Sequence, residues 1–193
     1  LVVEASSGVP ARLRSPDTSW LGVLVLDGGS ASIEEDVATG RLLVEDADLG
    51  VVRARLPVGI TRWSGTRRVP WDLTIPAGAR LVVEGGTQVA FAPVDLSASG
   101  RHPELTELIV EGELIIDGLM SPVALQVDSR RSDDLWYGIR LVEDGVLDMQ
   151  GASVRSAGFG VQGTVTPAGS ARVIDSQFSR LVNGLSLILF GDA

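Results

Sequence analysis

Residues 136–145 read Trp136-Tyr-Gly-Ile-Arg-Leu-Val-Glu-Asp-Gly145, and residues 20–29 read Trp20-Leu-Gly-Val-Leu-Val-Leu-Asp-Gly-Gly29. A similar segment precedes each copy: Val123-Ala-Leu-Gln-Val-Asp-Ser129 and Val9-Pro-Ala-Arg-Leu-Arg-Ser15. The offset between copies is 114 residues at Val9 and 116 at Trp20, so the later copy has two extra residues between its halves. Repeat units bury their apolar faces against copies of themselves, so this self-similarity predicts a stacked chain.

Short alternating segments bounded by Gly, Asp, Asn or Ser predict strands throughout, and no window sustains the apolar period of a helix. We take five apolar positions as equivalent, and their spacings are 27, 31, 22 and 24 residues: Leu81, Leu108, Ile139, Val161 and Leu185. This predicts parallel coils of three short strands, about 22–30 residues each. An antiparallel sandwich would also give short strands, but not the echo of Leu-Val-Val-Glu-Gly in Leu-Ile-Val-Glu-Gly.

Residues 71–91, 108–118, 171–179 and 183–187 resemble coils of the bacterial right-handed parallel β-helix proteins, the pectin-lyase-like superfold. The resemblance covers about residues 60–193 directly and 1–56 through the internal repeat. It implies an all-β fold, a right-handed parallel β-helix or solenoid. It says little about activity, because the same superfold hosts lyases, hydrolases, adhesins and inert stalks.

We predict coils of one repeat set over residues 1–56, a joint over 57–70 and a second set over 71–193. Because the first eight residues resemble the middle of a repeat, we expect the chain to be a piece of a larger protein.

Alternation along each strand predicts which side chains enter the interior. We expect Ile139 and Leu141 to point inward and Arg140 outward. In the same way, we expect Leu185 and Leu187 to point inward and Ser186 outward.

The composition narrows the function classes. The net charge is −9, which disfavours nucleic-acid binding because phosphate recognition needs a positive surface. All sixteen basic residues are arginine, a usage to which we assign no binding role. No apolar stretch is long enough to span a membrane. There is no cysteine, which excludes disulfides and thiolate chemistry.

A charged loop precedes the second repeated tryptophan, and an aromatic ring beside a polar loop can hold a sugar. The candidate binding residues are Asp128, Arg130, Asp133, Asp134, Trp136, Arg140 and Asp144. The alternative is a polar turn before a structural tryptophan, which the recurrence of the tryptophan at the same repeat position favours.

Pectate-lyase-like members of the resembled superfold use clustered aspartates for calcium and an arginine as base on one outward face. The corresponding outward strip here reads Val82, Ile109, Arg140, Gln162 and Ser186. It holds one arginine and no carboxylate, so it departs from the lyase pattern.

Glu84 and Glu111 end the two echoing strands, and we predict that they occupy equivalent positions on adjacent coils. Two stacked carboxylates can bind calcium or form an acid/base pair. The alternative is two solvated strand ends. No other cofactor is expected. His102, the only histidine, lies in a turn-rich stretch without partner acids at useful spacing.

The sequence favours a non-catalytic structural or binding segment of a larger exported bacterial protein, placed outside the cell, at its surface or in the periplasm. The alternative is a lyase or glycosidase acting on an acidic polysaccharide. Expected partners are a polysaccharide or neighbouring domains of the parent protein. Open coil ends also allow end-to-end self-association.

Overall fold

The computed structural model describes residues 22–24, 41–43, 55–95, 100–129 and 131–189. The chain divides into two compact units, Leu1–Val44 and Glu45–Ala193. In the first unit, β1 (Gly22–Leu24) pairs in parallel with β2 (Arg41–Leu43).

The second unit is all-β in its described residues, as the dense alternation of β-branched and polar residues predicts. Its strands are β3 (Gly59–Trp63), β4 (Thr66–Val69), β5 (Leu73–Ile75), β6 (Ala79–Glu84), β7 (Gln88–Phe91), β8 (Glu107–Val110), β9 (Glu113–Asp117), β10 (Val123–Val127), β11 (Gly138–Leu141), β12 (Val146–Gln150), β13 (Ala152–Val165), β14 (Ser170–Ile174) and β15 (Gln177–Leu189). The described ranges hold no helix long and apolar enough to cross a membrane.

All strand pairs are parallel, and each strand from β3 to β10 pairs with the strand three places further along the chain. The sheet that we call the first sheet has the order β3-β6-β9-β12-β14. The other runs β4-β7-β10-β13-β11-β8-β5, with β15 also paired to β13. The long strand β13 joins two ladders, because its first part pairs with β10 and its later part with β11. This arrangement is compatible with the predicted parallel β-helix.

Aliphatic side chains at matching register positions form the core. Leu81, Leu114 and Leu147 are aligned on neighbouring strands of the first sheet, and all three are fully buried. Alternation explains this, because β6 reads buried and exposed in turn from Ala79 to Val83. Burying such side chains is the main stabilising contribution, about 1.5–3 kcal/mol each.

The predicted ladder of equivalent positions is correct for four members and wrong for Leu81. Leu108, Ile139, Val161 and Leu185 are aligned as expected, but the position next to Leu108 belongs to Leu73. Leu81 lies in the other sheet, because β7 intervenes between β6 and β8. The outward strip therefore begins with Thr74, opposite Ile109, and not with Val82. The similar sequences Leu-Val-Val-Glu-Gly and Leu-Ile-Val-Glu-Gly therefore form similar strand–turn units, but these units belong to different ladders.

The positions predicted to point inward are buried in β11 but are buried only in part in β15. Ile139 and Leu141 are buried, and Arg140 is half-buried on the outside. Leu187 is partly buried against the core, but Leu185 is 56% exposed. The reason is that β15 pairs only with β13 in the described part of the chain, so no further strand covers Leu185.

The segment 57–70, predicted as a joint, contains β3 and β4. These strands pair with β6 and β7 and extend both sheets. The predicted division into two repeat sets on either side of this segment stays a prediction.

Candidate functional site

The charged loop after β10 lies at the surface. Asp128 and Asp133 are exposed, whereas Asp134 is half-buried and accepts a hydrogen bond from the Ser129 hydroxyl. The Arg131 guanidinium lies 3.6 Å from Asp133 and 3.8 Å from Asp134. Pairs this exposed contribute about 0–1 kcal/mol, so they leave Arg131 available to other partners.

Arg130, a predicted binding residue, lies outside the described residues. Trp20, the earlier copy of Trp136, does too.

Trp136 is fully buried and packs in the hydrophobic core, not on the surface beside the loop. Its ring stacks on Phe91 with centroids 3.9 Å apart and planes 5° from parallel. The indole Nε1 donates to the Arg155 carbonyl at 3.0 Å. Because both the face and the polar edge of the ring are used internally, a sugar on the outer surface has no access to it.

Arg140 projects from β11 on the outer face of its ladder, aligned with Ile109 and Gln162 on the neighbouring strands. Its Nε donates to Glu107 Oε2 at 2.7 Å, and the Glu107 side chain is fully buried. The other carboxylate oxygen, Oε1, accepts the backbone N–H groups of Arg101 and His102, each at 2.7 Å. Glu107 therefore joins β8, Arg140 and the residues that lead into β8.

Two further buried carboxylates extend this network. Asp72 Oδ1 accepts the Glu107 backbone N–H at 2.7 Å, and Asp95 Oδ1 accepts the Asp72 backbone N–H at 3.1 Å. Asp72, Asp95 and Glu107 are each at most 5% exposed. Buried carboxylates require such donors, because an unpaired buried charge is very costly.

This network was not predicted from the sequence. The sequence feature that could have revealed it is a carboxylate next to apolar residues in the chain. Asp72 lies between Trp71 and Leu73, and Glu107 precedes Leu108. Both positions resemble solvated strand ends until their partners, 23 to 35 residues away, are known.

Tyr137 closes the cluster beside Arg140. Its hydroxyl donates to Gln162 Oε1, and its ring lies 6.0 Å from the exposed His102 ring and 5.4 Å from Phe159. Burial raises the pKa of the Tyr137 phenol; Arg101 opposes the increase, the Glu107 charge adds to it and Arg140 also opposes it. The phenol is thus held as a hydrogen-bond donor.

The predicted pairing of Glu84 with Glu111 is wrong. Glu84 is aligned with Asp117 on β9 and lies 3.7 Å from Arg62, whereas Glu111 follows β8 and lies 3.5 Å from Arg55. The two residues end strands of different sheets, which the shared Val-Glu-Gly sequence does not reveal. Among the described residues, no group of three or more His, Cys, Asp or Glu is placed to hold a metal ion.

The structure brings two predicted residues together at another place. Glu111 and Asp144 line a cleft of about 420 Å³, and Arg80 and Glu113 line it too. Asp144 accepts a hydrogen bond from Thr166, and Arg80 Nε donates to Glu113 at 2.5 Å. The cleft thus combines internally paired charges and belongs to neither the Arg140 cluster nor the charged loop.

Comparison with known proteins adds no family to this geometry. No protein-family model, no curated protein and no solved structure matches the chain.

Proposed function

We propose that the chain is a rigid, non-catalytic segment of right-handed parallel β-helix, with a structural or binding role in a larger exported bacterial protein. The observation that carries the proposal is the unbroken register of the first sheet. Its five strands stack in parallel with matched residues at every step, from Gly59 opposite Ala79 to Gln150 opposite Ile174. Four spacings of about 4.8 Å give a rod section about 19 Å long.

The outer face supports the same proposal, because its charges pair along the stack. Arg80 on β6 contacts Glu113 on β9, and Arg172 on β14 donates to Asp148 on β12 at 2.9 Å. Each pair joins neighbouring strands of one ladder and helps to keep that ladder in register. A solenoid of this kind provides length and a regular surface without a reactive centre.

The alternative, a lyase or glycosidase acting on an acidic polysaccharide, is favoured by one observation. Arg140 lies on an outward strip next to a carboxylate, where a substrate sugar can approach. Against it, the Arg140 Nε–H already donates to Glu107, and the Glu107 carboxylate accepts two further hydrogen bonds from backbone N–H groups of the protein itself.

One experiment separates the two functions. The protein is incubated with acidic and neutral polysaccharides, with and without calcium, and both retention on the polymer and chain cleavage are measured. We expect no cleavage. Retention without cleavage would identify a binding segment, and the absence of both retention and cleavage would identify a structural one. Cleavage that disappears in Arg140→Gln would overturn the proposal.

The control for that variant must preserve folding, since removing Arg140 leaves Glu107 buried with one partner fewer. Arg172→Gln, which removes an exposed pair on the first sheet, is the matched variant. Both are compared by circular dichroism before their activity is interpreted.

A further inference from the structure

A cleft of about 340 Å³ opens where β10, β13 and β15 lie side by side, and its lining is rich in arginine. Three arginines and three serines line it: Arg131, Arg155, Arg180, Ser129, Ser156 and Ser179. This concentration of guanidinium groups is unexpected in a chain with a net charge of −9.

The strand register builds this cleft. Arg155 on β13 is aligned with Gln126 on β10 and with Ser179 on β15, so its side chain stands in the middle of three neighbouring strands. The next residue in β13 is Ser156 and the next in β15 is Arg180, with φ of 53° and 56°. These left-handed conformations are uncommon for residues other than glycine, and they bend both strands at the same level.

Two of the three guanidinium groups, those of Arg155 and Arg180, contact neutral acceptors. Arg155 Nε donates to the Ser153 hydroxyl at 3.0 Å, and Arg180 donates to the Ser132 carbonyl. In the described part of the chain, neither forms an ion pair with a carboxylate. The Arg131 guanidinium, from the charged loop, forms ion pairs with Asp133 and Asp134, and the Arg131 side chain is 75% exposed.

We propose that this cleft binds an oxyanion: a carboxylate, sulfate or phosphate group of a ligand. Guanidinium forks form short, charge-assisted hydrogen bonds with such groups, and serine hydroxyls add neutral donors. A concave surface of one charge sign also concentrates anions. This anion site would specify what the segment binds, and it therefore rests on the binding role in the proposed function.

The test is calorimetric titration of the full chain with sodium sulfate, sodium phosphate and sodium acetate, at an ionic strength held constant with sodium chloride. Saturable binding of at least one anion is expected. The anion that binds most tightly identifies which group, sulfate, phosphate or carboxylate, the ligand carries. Arg155→Gln and Arg180→Asn should each weaken binding at least tenfold. Asparagine is chosen at position 180 because it tolerates a positive φ.

Two controls make the result specific. Arg172→Gln also removes one exposed arginine but lies outside the cleft, so it should leave the affinity unchanged. Asp133→Asn removes a negative charge next to Arg131 and should tighten binding. Absence of saturable binding, an equal loss in Arg172→Gln, or weaker binding in Asp133→Asn would each overturn the inference.

Failure here is distinguishable from failure of the proposed function. Polysaccharide cleavage that depends on Arg140 would contradict the non-catalytic role whatever the anion titration gives. A missing anion site would leave the rod intact and remove only this ligand.

Discussion

At the residue scale, position within the stack decides what a side chain contributes. Ile139 and Leu185 belong to one ladder, through Val161 between them. Ile139 is fully buried, whereas Leu185 is 56% exposed. The same residue class at the same register position therefore has two different energetic roles.

We expect Ile139→Ala to lower the free energy of unfolding by about 2–5 kcal/mol, because it leaves a cavity in a packed interior. Leu185→Ala should cost about 1 kcal/mol or less, since most of its side chain is already in water. Chemical denaturation of both variants measures the difference. Equal losses would show that a further layer covers Leu185 in solution.

Tyr137 makes the free energy of unfolding depend on pH. Its raised pKa means that the folded state holds the phenol proton more tightly than the unfolded chain does. This stabilisation is complete below pH 10.0, the ordinary tyrosine pKa, and is lost as pH rises through the higher folded value. We expect the unfolding free energy to fall above pH 10.0 more steeply in the unsubstituted protein than in the Tyr137→Phe variant.

The difference between the two slopes is at most about 1.4 kcal/mol per pH unit. Denaturant titrations from pH 8 to about pH 11 measure it. Parallel curves for both proteins would contradict the assignment. The phenylalanine variant also loses the hydrogen bond to Gln162, which lowers its curve by about 1 kcal/mol below pH 10.0, where the phenol of the unsubstituted protein keeps its proton.

At the element scale, close approach of neighbouring strands limits which residues can begin a strand. Gly138 opens β11 with φ of 126°, and a Cβ added there would lie 1.9 Å from the Phe159 carbonyl oxygen. Gly184, within β15, has no atom within 4 Å of an added Cβ and no positive φ. The contrast arises because β11 lies between two strands and β15 pairs with one.

Gly138→Ala should therefore destabilise the protein by at least about 2 kcal/mol, from backbone strain and overpacking together. Gly184→Ala is the matched control and should change stability by no more than about 0.5 kcal/mol. Thermal unfolding by circular dichroism distinguishes the two. A mild effect at Gly138 would mean that β11 and β13 are not as close as the structure places them.

At the scale of the whole molecule, the second unit is a stack whose levels are not equally supported. Strands β6 to β11 have neighbours on both sides, whereas β14 and β15 have one described neighbour each. The outer strand β15 also exposes Val182, Leu185 and Ile188. Such an edge is a template for further pairing and is the place where self-association would begin.

Hydrogen exchange should follow this gradient. We expect slow exchange at the central strands and faster exchange at β14 and β15, because local opening requires fewer contacts to break at the edge. Mass spectrometry of peptides that cover β8, β11 and β15 measures it. Uniform protection across the unit would contradict the prediction and indicate a covered edge.

Several features of this protein follow from its sequence alone. The strand character, the parallel stacking and the inward positions of Ile139 and Leu141 come from alternation and spacing, which are local properties. The alignment of Leu108, Ile139, Val161 and Leu185 on neighbouring parallel strands agrees with the spacing of 22 to 31 residues between them.

Only the tertiary structure decided the rest. Leu81 and Glu84 belong to a different sheet from Leu108 and Glu111, because register depends on the number of intervening strands and not on local similarity. The Asp72–Asp95–Glu107–Arg140 network and the arginine cleft join residues far apart in sequence, since parallel pairing brings distant strands within hydrogen-bond distance. Local sequence determines how each strand forms, but the neighbouring strands determine which charges are buried, paired or free to bind.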